Sequence, residues 1–503
     1  MKVLIIYAKN TSVFWNFKPS IKYLGLFGKK SLVAPLGPLT VSSLLPKKWE
    51  RRFVDLNVKK RLKRKDLLWA DIIFLSANVS THKESVDNTI IICREYGKLI
   101  AAGGPFFTLQ PEKYKGKVDY LILGEAEITL PLFIKDYEKG EAKSIYKPES
   151  NQWADITKTP PPDWSLIYFN DYCVMPVQFS RGCNLDCYFC NIGVLCGYKL
   201  RPKNPVQIVN EEEKLYRSGW RGTVMWVDDN LSANKKDILK ETLILVDEWQ
   251  RKKGYPFKRI TQVDIGVACD EELKELLKNA NFNELFIGIE TPSQEGLKEC
   301  GKKKNLSVDL EESISKVHKN GQQLVAGAIM GLDSDPINID KIMEDFFKKS
   351  KIPVIMLGLL CALPETKLWY KLKAEGRLIE DLVIDNTSGI TNIIPKMGIV
   401  KLRDLYKKVL TALYINRRNY YQRATRFMQE CIPSAKSRVS WDDIFAFIKS
   451  IFSIGIFSKS SPYYWTLLFR TIFTNRKAFP IAVKLAIQHV HLLKYAKGVI
   501  KTI

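Results

Sequence analysis

A chain that alternates short apolar runs with helix-length amphipathic stretches has few ways to fold. Each run must pair with neighbours, and each helix must cover a sheet face. This sequence does so twice. In residues 1–145 the strand-like runs are Lys2–Ala8, Arg52–Leu56, Asp71–Ala77, Leu99–Gly103 and Val118–Leu123, with helix-like stretches such as His82–Tyr96 between them. That is the pattern of a doubly wound parallel sheet. Residues 146–175 read as a linker, since Pro160-Pro161-Pro162 excludes both a helix interior and a central strand. A second series occupies residues 176–370. Its strand-like runs are Val174–Phe179, Thr223–Val227, Arg259–Val267, Glu284–Ile289, Gln323–Met330 and Ile352–Leu360. This spacing suits a full or partial βα barrel or another doubly wound sheet, and pattern alone does not choose. From about residue 365 the strand signal fades, so 371–503 is expected to be helical.

The 503 residues, 46% apolar and 26% charged, fit two or three globular domains and exclude a disordered chain, a collagen or a coiled-coil rod. No secretory signal is visible, so the ten cysteines are expected in a reducing, cytoplasmic compartment, where clusters mean metal or redox chemistry. The net charge of +24 is concentrated at the end. From Lys401 to Ile503 there are 19 Lys/Arg against 4 Asp/Glu, an excess of 15. Such a segment favours anionic partners, lipid head groups or nucleic acid. No run reaches the length of a membrane span. Trp465, Tyr463 and Tyr464 beside Arg470, Arg476 and Lys477 suit peripheral association with an anionic membrane surface; an ordinary helical domain that packs them inside is the alternative.

The sharpest local signal is Arg181-Gly182-Cys183-Asn184-Leu185-Asp186-Cys187-Tyr188-Phe189-Cys190. Three thiolates in eight residues after a strand can wrap one side of an iron–sulfur cluster and leave one iron open. A structural zinc site completed by Cys196 or Cys173 is the competing reading, although zinc sites favour paired Cys-x-x-Cys units.

This CxxxCxxC loop, with aromatic Phe189 before the last cysteine, closely resembles that of the radical S-adenosylmethionine (SAM) enzymes. The resemblance implies a partial (βα)6 barrel of the TIM type. It also implies a [4Fe–4S] cluster on Cys183, Cys187 and Cys190 that binds SAM and cleaves it to a 5′-deoxyadenosyl radical, fed by an external electron donor. Trp226-Val227-Asp228-Asp229-Asn230 resembles the segment at the methionyl end of the cofactor, which makes Asp228 or Asp229 the acceptor of its ammonium group. Phe286–Thr291 resembles the strand whose glutamate, here Glu290, faces the ribose. The segments of Gly327–Gly331 and Ala362–Leu368, with Gly327 and Leu363, resemble the later strand ends that pack on adenine.

The likeness extends to a subgroup with an N-terminal, Rossmann-like cobalamin-binding-type domain and a helical C-terminal extension. Hopanoid C-methylases and tetraether lipid ring synthases belong to it. The segments that carry this are Phe53–Val58 with Asn57, Ala101–Pro105 with Gly103 and Gly104, and Leu123–Glu127. One departure is plain. Where a cobalt-ligating Asp-x-His-x-x-Gly would stand, the chain reads Asp55-Leu56-Asn57-Val58-Lys59-Lys60. Cobalamin, if bound, lacks that histidine.

The subgroup implies a hydrophobic, lipid-like substrate and C-methylation through methylcobalamin. Ring or C–C bond formation without methyl transfer is the alternative. An RNA-modifying radical enzyme and a zinc-stabilised membrane scaffold are rivals from other classes. Acyl transfer and P-loop nucleotide chemistry find no motif among four histidines and no Gly-rich phosphate loop.

Overall fold

The computed structural model describes residues 1–12, 14, 28–380, 382–433, 436 and 441–503. Its strands are β1 (Lys2–Tyr7), β2 (Ser31–Val33), β3 (Glu50–Asp55), β4 (Ile72–Ser76), β5 (Leu99–Gly103), β6 (Tyr120–Ile122), β7 (Ile145–Tyr146), β8 (Tyr172–Val177), β9 (Ser180–Arg181), β10 (Arg201–Pro202), β11 (Thr223–Trp226), β12 (Lys258–Val263), β13 (Phe282–Glu290), β14 (Gln323–Met330) and β15 (Val354–Leu359).

The first sheet is parallel, in the order β3-β1-β4-β5-β6-β7. Helices cover both faces. Leu45, following α1 (Leu36–Leu44), joins Leu130 and Phe133 of α3 (Ala126–Lys139) over one face, while Val86, Ile90 and Cys93 of α2 (Lys83–Glu95) cover the other. Strand order reverses beside β1, and in doubly wound sheets such a switch point is where a crevice forms, here at the carboxyl ends of β1, β3 and β4. The doubly wound expectation therefore holds.

The second sheet resolves the choice that the pattern left open. Its order, β15-β14-β13-β12-β11-β8-β2, runs sequentially from β8 to β15 with every pair parallel. Sequential order winds all crossovers one way and curls the sheet into a partial barrel. The expected third strand, Arg259–Val267, ends early at Val263. Asp264 accepts the Gly266 N–H at 2.9 Å and turns the chain into a short 3-10 helix, Ile265–Cys269. The two-residue strands β7, β9 and β10 went unread, and so did β2, which comes from the N-terminal segment and pairs Ser31 with Tyr172 and Val33 with Val174.

After β15 come a two-turn helix, Lys367–Ala374, and from Ile399 onward a helical region: α4 (Ile399–Leu410), α5 (Arg417–Glu430), α6 (Trp441–Ser450), α7 (Ser461–Thr474) and α8 (Phe479–Thr502). These helices manage an exposed edge. A partial barrel leaves the outer edge of β15 with unpaired backbone groups, and buried side chains of the tail meet them. The Tyr406 hydroxyl donates to the Leu357 carbonyl at 2.9 Å, the Tyr414 hydroxyl accepts the Ile355 N–H at 2.8 Å, and Arg423 Nε donates to the Ile352 carbonyl at 3.2 Å. Among the described residues no helix is long and apolar enough to cross a membrane.

Candidate active site

The cysteine loop hangs between β9 and β10, which pair antiparallel after the end of β8. Gly182 opens it at φ 96°, and a Cβ there would stand 2.6 Å from the Lys199 carbonyl oxygen, so only glycine admits the turn. The Cys183 N–H donates to the Gly197 carbonyl at 3.2 Å and the Cys190 N–H to the Cys187 carbonyl at 3.1 Å. All three cysteines are half-buried. Burial raises the Cys183 and Cys187 thiols and pushes Cys190 up to about 12; Cys187 and Cys183 each add to the shift at Cys190, so the three groups feel one another.

Among the described residues no three His, Cys, Asp or Glu side chains are set to hold one metal ion. Ligands of a single zinc crowd within roughly 4 Å of one another, whereas a cuboidal cluster gives each thiolate its own iron. Three thiols on one short loop, close enough to act on one another electrostatically, suit a cuboidal cluster that gives each thiolate its own iron.

Around the loop the barrel's carboxyl end supplies charges. Asp228, fully buried, accepts the Phe179 N–H at 3.2 Å and the Ser180 N–H at 2.5 Å, which fastens the β11 end to the approach of the cysteine loop. Asp229 accepts no hydrogen bond among the described residues. Burial, then the neighbouring Asp228 charge, pushes its carboxyl up to about 7, and it acts electrostatically on Cys183 and Cys190. Of the two aspartates, only Asp229 is free to take a ligand.

Glu290 ends β13 after a register shift, at φ 64°, and pairs with Lys302 at 2.6 Å, both nearly buried. Gly288 makes room for the pair: a Cβ there would lie 2.4 Å from Glu290 Oε1 and 3.0 Å from Lys302 Nζ. Burial opposes the Lys302 charge, but Glu290 and then Cys187 hold its pKa above the usual lysine range. Gly327 sits beneath the Phe286 ring, 3.0 Å from where its Cβ would be, so it serves strand packing. Phe189 packs with Tyr188, ring centroids 5.9 Å apart, against the cluster of Ile329 and Leu360. Half-buried Leu363 rides the loop after β15, and that loop docks on the cysteine loop through the Leu368 N–H to the Tyr188 carbonyl at 2.9 Å.

The N-terminal candidates lie apart, at the sheet's carboxyl ends. Asn57 ties β3 to β1: its Oδ1 accepts the Asn10 N–H at 2.8 Å and its amide donates to the Ala8 carbonyl at 3.2 Å. Gly103 and Gly104 meet the chain itself. Added Cβ atoms would stand 2.8 Å from the Ile122 carbonyl and 2.6 Å from the Ala77 carbonyl. His82 is buried beside Tyr7, and burial lowers its pKa to about 4. Its Nδ1 accepts the Asn78 N–H at 3.2 Å, which places the proton on Nε2 and leaves no lone pair there for a metal.

A buried ion cluster joins this domain to the loop. Arg181, two residues before Cys183, donates to both Glu127 oxygens at 3.0 and 2.7 Å; Arg201 donates to both Glu125 oxygens at 2.9 and 2.8 Å. Glu125 also accepts the Ala154 N–H at 2.6 Å.

Comparison with known proteins agrees with this geometry. The Radical SAM superfamily pattern matches residues 177–346, and a domain of unknown function (DUF4070) matches residues 366–503. An uncharacterised methyltransferase of Synechocystis is 34% identical over 98% of this chain and 92% of its own length. The hopanoid C-2 methylase of Rhodopseudomonas palustris is 30% identical over 99% of this chain and 94% of its own. The chain belongs to the radical SAM superfamily. It is accordingly an enzyme whose family uses a [4Fe–4S] cluster, SAM and an electron donor. Two solved folds are similar over nearly the whole radical SAM chain. The cobalamin-dependent radical enzyme OxsB has a TM-score of 0.62 at 16% identity and covers 100% of this chain and 81% of its own. The methyltransferase TsrM of Kitasatospora setae has a TM-score of 0.61 at 12%, covering 95% and 99%.

Three groups of this radical SAM site escaped sequence reasoning. Lys302 stands in the run Gly301-Lys302-Lys303-Lys304, which looks like a solvated surface stretch. Arg181 and Arg201 carry no spacing signal, because their partners lie more than fifty residues away.

Proposed function

We propose that this chain is a C-methylase of a hydrophobic, lipid-like substrate, with the cysteine loop and the N-terminal crevice as its two cofactor sites. The observation that carries the reading is the Arg181/Arg201–Glu125/Glu127 cluster, which locks the domain bearing that crevice onto the residues that open the cysteine loop.

Cys183, Cys187 and Cys190 would hold the cluster, and Asp229, with its carboxylate unengaged, would accept the ammonium group of SAM. Glu290, oriented by Lys302, would face the ribose, with Gly327, Phe189 and Leu363 shaping the wall nearby. A corrin in the crevice would find Asn57, Gly103 and Gly104 shaping its floor and no histidine lone pair from His82. When bound, these groups would supply reductive cleavage of SAM, hydrogen abstraction from unactivated carbon, and a transferable methyl group.

An apolar substrate is supported by side chains where the domains meet. Ser80 donates to the Ile384 carbonyl across the domains, and their chain neighbours Val79 and Val383 are exposed. The whole-length likeness to a hopanoid methylase points the same way.

Anaerobically reconstituted protein with SAM, a strong reductant and a lipid extract tests the reading. With cobalamin it should yield S-adenosylhomocysteine, 5′-deoxyadenosine and a lipid heavier by one methylene. Deoxyadenosine unaffected by cobalamin, with a ring-closed lipid, would replace methylation by bond formation. Modification of RNA alone would remove the lipid.

A further inference from the structure

The tail turns an apolar face outward. On α6, Trp441, Phe445 and Ile448 recur at four and three residues, and Phe452 continues the stripe into the π-helical turn Ile451–Ile456. Residues four and three apart share one face of a helix. The opposite side, Ala446, Ser450 and Ile454, is the buried one. This helix therefore packs its small residues inward and shows its large ones to solvent, the reverse of a globular surface helix.

The next helix repeats the arrangement. Tyr464, Leu467, Leu468 and Thr471 of α7 are buried, while Phe469 and Phe473 point out, Phe473 with 82% of its surface exposed. Phe457, also 82% exposed, occupies the turn between the two helices. Trp465 joins the two halves, since its Nε1 donates to the Gly455 carbonyl at 3.0 Å and its ring stacks on Phe469 at 5.5 Å. The result is one aromatic-rich face.

Beyond Asp442 and Asp443 in the first turn of α6, its fringe is cationic. From Ile444 to Ile503 the chain has nine Lys/Arg and no Asp or Glu. Exposed Lys459, Arg470, Arg476 and Lys477 lie on or beside the two elements that carry the rings. A second copy of the chain would bring the same sign of charge to a shared interface, and that is unfavourable. An anionic bilayer supplies the opposite sign together with an apolar layer for the rings.

We propose that the outward face of α6, α7 and their connecting turn docks on an anionic lipid bilayer. The helices lie in the interface, with Phe457 and Phe473 inserted and the basic side chains at head-group level. Asp443 of α6 lies 3.5 Å from Lys258, the first residue of β12. The docking face thus sits towards the amino ends of the barrel strands, away from the cysteines. It anchors the enzyme and is not the substrate entrance, so it stands whether or not a lipid is methylated.

Flotation of the full chain with synthetic vesicles tests this without any substrate extract. Vesicles of phosphatidylcholine with phosphatidylglycerol should carry the protein up at least tenfold more than phosphatidylcholine alone, with binding weakened by raised salt. Phe457→Glu/Phe473→Glu and, separately, Lys459→Glu/Arg470→Glu should each lower the bound fraction tenfold or more, with an unchanged melting curve. Wild-type protein that stays at the bottom, equal binding to neutral vesicles, or flotation of the aromatic variant like wild type would each overturn the proposal. So would a solution dimer that the aromatic variant dissolves while vesicles bind neither form.

Discussion

Asp228 and Asp229 are adjacent, alike in chemistry, and opposite in use. Asp228 spends its oxygens on the Phe179 and Ser180 backbone, while Asp229 accepts no hydrogen bond among the described residues and acts on Cys183 only through its charge. The residue type was legible in the sequence; the division of labour was not, because it depends on which of two neighbours meets a strand end. Lys302 makes the same point, since a buried lysine beside Glu290 is written with the same letter as its exposed neighbours. A residue-scale prediction concerns His318, buried against Phe427 with ring centroids 4.7 Å apart and neither ring nitrogen partnered. Burial, its largest influence, lowers its pKa to about 4. The folded state therefore keeps it neutral where the unfolded chain takes up a proton, so its contribution is lost as pH falls from about 6.5 towards 4. His318→Phe should raise stability at pH 7.5 by about 1 kcal/mol, from removal of unpaired polar atoms. At pH 5 the advantage should widen by roughly 2 kcal/mol. Urea denaturation of both proteins at both pH values decides it; a gap independent of pH would refute the assignment.

Secondary-structure elements were largely legible because hydrophobic period reports them directly. Every expected strand is present, and β12 alone stops well short, at the Asp264 turn. What joins the elements was hidden, since long-range pairing leaves no local signature. The bidentate contact of Arg181 with Glu127 is the clearest case. Burial opposes the Glu127 charge, but the hydrogen bonds and charge of Arg181 hold it below the usual carboxylate range. Arg181→Met should destabilise the protein by about 3–5 kcal/mol, because it strands buried carboxylates. Adding Glu127→Gln should recover at least about 1 kcal/mol of that loss. A double-mutant cycle on denaturation midpoints measures the coupling, and strict additivity would mean that the contact is incidental.

At the scale of the molecule, the helical tail is a working part of the barrel. Tyr406, Tyr414 and Arg423 occupy the backbone edge that the open sheet leaves at β15. A chain ending at residue 365 should therefore aggregate through that edge, as size-exclusion chromatography would show; a monodisperse, folded fragment would remove this role. The other edge strand, β2, has a consequence in time. Ser31 leaves the ribosome about 140 residues before its partner Tyr172. At ordinary synthesis rates that is a delay of roughly 7–30 s. The first lobe therefore emerges with a segment that it cannot use, and its assembly ends only when the second lobe begins. Grafting the amino-terminal lobe onto a foreign barrel would break a sheet, so the two halves are bound to evolve, and to be engineered, together.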